Sequence, residues 1–157
     1  MASAGHELPP GAARTTVVHA AVRGAIGAMA MSGLRQLTQS LGLVERTPPE
    51  SVLQRTAPGL FRRVPVSRRA ALVELAHWAY GAAGGAVFGM FPRRWRRQAW
   101  AGPGYGLLVW ATFEAGIAPV LGIAQRPRHS GVEATVLLAD HLLYGVVVAA
   151  SPWPTRD

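Results

Sequence analysis

Long apolar stretches alternate along this chain with short blocks dense in arginine. Four of the stretches, at about 15–43, 70–92, 98–125 and 132–151, read as helices that cross a bilayer, whose hydrocarbon core takes ~20 predominantly apolar residues in helical form. Leu75–Pro92 (LAHWAYGAAGGAVFGMFP) is the longest run without a formal charge. In water, a helix carrying Gly81, Gly84, Gly85 and Gly89 would lose up to ~1 kcal/mol per glycine relative to alanine. In lipid an open backbone is worse still, so the helix is retained. His77, Gly81, Gly85 and Gly89 fall at steps of four on one face, a glycine-zipper pattern that lets another backbone approach closely. Ala20, Gly24, Ala28 and Ser32 form a second small-residue stripe in the first stretch. The pattern predicts an all-α fold, an integral membrane four-helix bundle in which these two faces meet.

Residues 1–14 are polar, with Pro9 and Pro10, and read as a disordered tail; 152–157 read as another. The N-terminus lacks the basic-then-apolar order of a signal peptide, so the first span is expected to act as its own targeting signal. Its helix is expected to start near Thr15 or Thr16, both good N-caps. The polar loop 45–69 contains TPPESVLQR, which reads as a short helix with Pro in its first turn and Glu50 near the positive end of the dipole. That loop is expected to lie on lipid headgroups with Val52, Leu53, Leu60 and Phe61 facing down. PRRWRRQAW (92–100) reads as a tight basic turn with Trp95 and Trp100 in an aromatic belt, and Pro103 and Pro119 are expected to kink or shorten the third span.

Two words occur twice in the same order. LGLVER (41–46) matches LGIAQR (121–126), and AHWAYG (76–81) matches DHLLYG (140–145) through His-x-x-Tyr-Gly. This reads as a tandem repeat of two-helix hairpins related by an axis along the membrane normal. It places His77 and His141 at equivalent depths, with Tyr80 and Tyr144 one turn further on.

Mean hydropathy is only +0.19 because the charges are clustered, at Arg62, Arg63, Arg68 and Arg69 and again at Arg93, Arg94, Arg96 and Arg97. All 16 basic residues are arginine, a bias typical of GC-rich coding, so the pI near 11.5 reads as helix-end arginines at lipid headgroups; no nucleic-acid partner is expected. The arginines divide too evenly between the two sides to orient the chain. With no cysteine, disulfides and thiolate ligands are excluded. The expected partners are the lipid bilayer and either a second copy or an unlike membrane subunit.

Ionisable groups at membrane depth cost ~2.5–3.5 kcal/mol each on insertion scales, which makes them the main functional signal. Glu74, His77, Tyr80, Glu114, Asp140, His141 and Tyr144 form the candidate polar cluster; Gly24, Ala28, Gly81, Gly85 and Gly89 are the candidate packing residues. In the structural reading, Asp140 or Glu114 pairs with Arg23 or Arg35, and the histidines bond tyrosines or carbonyls. A second reading makes the carboxylates and imidazoles a proton or ion relay. A third notes that Glu74-x-x-His77 has the i, i+3 spacing of di-iron bundles, but Leu138 stands where the second copy needs a carboxylate; no metal and no cofactor is assigned. There is no Gly-rich phosphate loop after a strand, no Ser-x-x-Lys and no nucleophile elbow. The leading expectation is therefore a non-enzymatic structural or accessory membrane subunit or interaction module. The alternative is a small ion, proton or solute carrier acting as an oligomer, with a water-soluble helical domain in the background.

MSGLRQLTQSLGLVERTPPE (31–50), AHWAYGAAGGAVFG (76–89), GPGYGLLVWATFEAGIAPVLG (102–122) and ADHLLYG (139–145) give the chain a motif order that resembles small uncharacterised bacterial membrane proteins of the YagU-like type. The resemblance covers about residues 15–151. It implies a multi-pass protein of the bacterial inner membrane without an assigned activity, and it carries over no catalytic residue.

Overall fold

The computed structural model describes residues 10–42, 48–122 and 131–150, and within them the protein is all-α. The elements are α1 (Pro10–Ser40), α2 (Pro48–Thr56), α3 (Pro58–Arg63), α4 (Val66–Met90), α5 (Arg93–Arg96), α6 (Ala101–Thr112), a π-helical turn (Phe113–Ile117), α7 (Ala118–Val120) and α8 (Gly131–Ala149). The two tails, 1–9 and 152–157, lie outside the described residues, but 10–14 are helical and not part of a tail. Pro10 suits a helix start because its missing N–H would be unpaired there in any case.

Local chemistry sets the remaining boundaries. α4 starts at Val66, directly after extended Pro65, and stops at Phe91, which is extended (φ −66°, ψ 149°) as the residue before a proline should be. Pro103 causes no kink, since it sits in the first turn of α6 where its lost donor has no partner to miss. Pro119 acts differently. Its ring crowds the carbonyl of Ala115, and the preceding turn widens so that Ala118 N–H bonds Phe113 O, five residues back.

Three long helices pack through small residues. α1 lies between α4 and α8, and α8 also packs on α6. At the α1–α4 crossing, a Cβ on Gly24 would overlap the Gly81 carbonyl oxygen and come 2.9 Å from Gly85 Cα; one on Gly85 would overlap Ala20 O; one on Gly89 would lie 2.8 Å from Ala20 Cβ. Ala28 fills the next step against Gly81. The α6–α8 crossing repeats this geometry: a Cβ on Gly106 would overlap His141 O, and one on Gly145 would overlap Gly102 O and lie 2.9 Å from Gly106 Cα.

The two crossings equate Gly85 with Gly145 and Gly81 with His141, whereas the repeated words pair Gly81 with Gly145 and His77 with His141. The words are thus one helical turn out of register with the packing. Of the other word pair only Leu41–Gly42 and Leu121–Gly122 are described; 43–46 and 123–126 lie outside the described residues. Gly42 (φ 70°) and Gly122 (φ 57°) both take the left-handed conformation just past a helix, so the shared Leu-Gly is a helix stop that any two helices can share.

α2 and α3 do not lie flat with their apolar residues turned outward. Leu53 and Phe61 pack on Val73 of α4, and Arg69 covers the Phe61 ring at 4.9 Å, while Leu60 stays exposed. Across the bundle, Phe88 of α4 meets Tyr105 of α6 with ring centroids 5.0 Å apart, joined by Phe91, Met31, Tyr144 and Val148.

On α1 small and polar side chains, with Met31, face inward while several large apolar ones face outward. α1 buries Thr16, Ala20, Ala28, Ser32, Arg35 and Thr38 and exposes Val18, Val22, Ile26, Met29 and Leu37. One described helix, Thr16–Ser40, is long and apolar enough by length and composition to cross a membrane; Ala134–Ala149 is apolar but shorter. α4 falls short on hydropathy because glycine, histidine, tryptophan and tyrosine contribute little to it.

Candidate functional site

The inner polar side chains form two linked groups. On the α1–α4 side, Arg35 and Glu74 make an ion pair, and Ser32 sits beneath it. Ser32 Oγ donates to Glu74 Oε2 at 2.5 Å and accepts from Trp78 Nε1 at 3.2 Å. His77 Nδ1 lies 3.3 Å from Ser32 Oγ, but with the hydroxyl proton given to Glu74 and both lone pairs facing Trp78 Nε1 and Arg35 Nη2 (3.4 Å), that contact does not set the imidazole's tautomer. The pairing differs from the one expected: Arg35 takes Glu74, which shares its level across the glycine crossing, and not Asp140 or Glu114.

On the α8 side, His141 Nδ1 lies 2.7 Å from Leu137 O, its own helix's i−4 carbonyl. A carbonyl only accepts, so Nδ1 carries the proton and Nε2 is the acceptor. Asp140 is 5% exposed, and its Oδ1 is buried without a hydrogen-bond partner. Tyr144 donates to Gly81 O at 2.6 Å and Tyr105 to Gly84 O at 2.6 Å. Both bonds reach α4 carbonyls that the glycines leave uncovered, and both hydroxyl protons are thereby committed.

Between α4 and α6 these groups open onto a cavity of about 510 Å³. His77, Tyr80, Glu114, Asp140, His141 and Tyr144, six of the seven polar residues singled out from sequence, line it. Glu74 does not; it stands behind Arg35, which does. Glu114 is carried on the π-helical turn and interacts electrostatically with His141. Val52 and Leu53 of α2 line it as well, and Val87, Leu108 and Phe113 give the cavity an apolar body. Five of the packing residues chosen from sequence, Gly24, Ala28, Gly81, Gly85 and Gly89, lie at the α1–α4 crossing, and Gly81 also touches the cavity.

Sequence reasoning missed Ser32 and Tyr105 as chemistry. Ser32 read only as a small residue of the stripe. Tyr105, set among glycines in GPGYG, read as part of a kink, although a tyrosine isolated in an apolar helix needs a partner for its hydroxyl.

The arrangement limits the chemistry. Ser32 beside His77 is not a nucleophile–base pair, because its proton goes to a carboxylate, it is 4% exposed and it does not line the cavity. Among the described residues no three His, Asp or Glu side chains are close enough to hold a metal ion. No protein-family model matches the chain, and neither a curated protein nor a solved structure does.

Proposed function

We propose that the protein is a multi-pass membrane protein that binds a small amphipathic solute non-enzymatically, as a carrier or receptor, in the cavity between α4 and α6. The observation that carries the reading is the cavity itself, with an apolar body and converging polar side chains at its inner wall, the usual anatomy of a small-molecule site. Membrane residence is supported by the outward apolar face of α1, since Val22, 54% exposed, and its apolar neighbours suit lipid while Ser32 and Asp140 are turned inward. At ~1.5 Å per residue, α4 and the Ala101–Val120 segment measure about 37 and 30 Å, enough for a ~30 Å hydrocarbon core. The YagU-like motif order agrees with an inner-membrane location and adds no activity.

Native mass spectrometry of the protein in lipid nanodiscs tests this reading. A retained small molecule, lost on filling the cavity with Val87→Trp, is the expected result. A spectrum with no retained molecule but a stoichiometric unlike subunit would replace it with the accessory-subunit reading, in which the exposed row Val18, Val22, Ile26 and Met29 is the docking face. Carbonate extraction tests the membrane assignment separately, and release into the soluble fraction would overturn it.

A further inference from the structure

The chemical class of the ligand follows from what the cavity wall has left to offer, given that the cavity is a binding site. Several of the hydrogen-bond donors along it are spent. Tyr105 and Tyr144 give their hydroxyl protons to Gly84 O and Gly81 O, and His141 gives Nδ1–H to Leu137 O. Arg35, the cation on the wall, is held by Glu74 and lies 3.4 Å from Ser32 Oγ. The acceptors left on it are His141 Nε2, the lone pairs of two tyrosine hydroxyls, and the carboxylates of Glu114 and Asp140. Asp140 is the sharpest of these, because its Oδ1 is buried and unpartnered, and a buried carboxylate without a partner is costly. Two carboxylates, Glu114 and Asp140, line the cavity, while the charge of its one guanidinium, Arg35, is already matched by Glu74 behind it.

We propose that the cavity takes an organic ammonium, a primary or secondary amine on an apolar body, whose N–H groups bond Asp140 and the acceptors around it. An ammonium supplies two or three donors and one positive charge, which matches the open acceptors and the two carboxylates of the wall that no cation pairs. The rings of Tyr80, Tyr105 and Tyr144 on the wall favour a cation further. A bare metal ion fits less well, since among the described residues no three ligating side chains converge. A carboxylate or phosphate would meet acceptors and like charge.

The test compares three ligands of one shape and different charge: 1-naphthylmethylamine, 1-naphthylmethanol and 1-naphthoate. Binding is measured by equilibrium dialysis on the full chain in phosphatidylcholine–phosphatidylglycerol nanodiscs, with protein-free discs subtracted. Expected is an amine at least tenfold tighter than the alcohol, with the naphthoate weakest. Asp140→Asn brings the amine to the alcohol's level, and Glu114→Gln weakens it by a smaller factor; circular dichroism checks that each variant retains its helices. Should Asp140→Asn not fold, the wild-type series decides alone. An amine no tighter than the alcohol, or a naphthoate that binds best, overturns the ammonium assignment and leaves the cavity as a binding site. No binding of any of the three overturns both. Competition by added phosphatidylethanolamine identifies a lipid headgroup as the source of the ammonium, and its absence identifies a free amine.

Discussion

Where α1 crosses α4 the two backbones touch, and where α4 faces α6 across the bundle aromatic rings hold the helices apart. The same helix builds both contacts. Toward α1 it presents Gly81, Gly85 and Gly89, so nothing separates its peptide groups from those of Ala20 and Gly24. Toward α6 it presents Tyr80, Gly84, Val87 and Phe88, and there Tyr105 and Tyr144 span the gap by bonding α4 carbonyls while Phe88 props against Tyr105. Small residues on both partners seal one side. Glycine opposite tyrosine gives a bridged space on the other, and that space is the cavity.

The sealed side can be broken by a single side chain. Gly85→Leu pushes a branched group into Ala20 O and Gly24, where the nearest atoms are backbone and cannot rotate away. The expected loss is about 3 kcal/mol or more, at the upper end for overpacked sites. Thermal unfolding in detergent would show it, together with loss of the Arg35–Glu74 pair that the crossing aligns. An unchanged melting temperature would mean that the two backbones are not in contact.

Next in size is that ion pair. Glu74→Gln leaves Arg35, whose side chain is 11% exposed, without its counter-charge. Breaking a buried pair costs ~3–5 kcal/mol, and the 26% exposure of Glu74 lowers the expectation to about 2–3. The double variant Arg35→Met/Glu74→Leu should recover most of the loss. A double variant as unstable as the single would show that Ser32 and Trp78, not charge pairing, hold this end together.

Much of the sealed side was legible because glycine spacing is a geometric statement. Steps of four put Gly24 and Ala28 on one face of α1 and Gly81, Gly85 and Gly89 on one face of α4, and two such faces have few other ways to be buried. The ion pair was not legible in the same way. Arg35 and Glu74 are far apart in sequence, and which carboxylate an arginine meets depends on how far the helices slide along each other. The open side was legible only as a list. Glu74, His77, Glu114, Asp140 and His141 stood out as costly at depth, but the convergence of the last four on one cavity depends on the π-helical turn that precedes Pro119 and on tyrosines from α6 and α8 that no periodicity announces. The repeated words misled in register for a related reason: Leu-Gly stops a helix wherever it occurs, and His-x-x-Tyr-Gly recurred one turn away from the true crossing.

On the open side the expected effects are smaller. Tyr144→Phe keeps the ring and removes one hydrogen bond, so Gly81 O loses its side-chain partner at a cost of ~1 kcal/mol. Its more telling effect is on the cavity, where one acceptor disappears and the ring is free to shift. Naphthylmethylamine affinity should fall severalfold while the melting temperature moves little. A large stability loss with unchanged affinity would mark Tyr144 as a strut alone.

The smallest effect separates glycines that pack from glycines that merely occur. Gly33 lies in α1 between Ser32 and the ion-pairing Arg35, yet it faces outward and an added Cβ there would meet nothing within 4 Å. Gly33→Ala should therefore stabilise the protein, by up to ~1 kcal/mol, through the lower conformational freedom that alanine surrenders when the helix forms. The sign matters more than the size: the same substitution at Gly24 or Gly85 places its Cβ on a carbonyl oxygen and must destabilise. If Gly33→Ala destabilises as well, its outward face is covered by something outside this chain, and the crossing glycines lose their claim to be a distinct class.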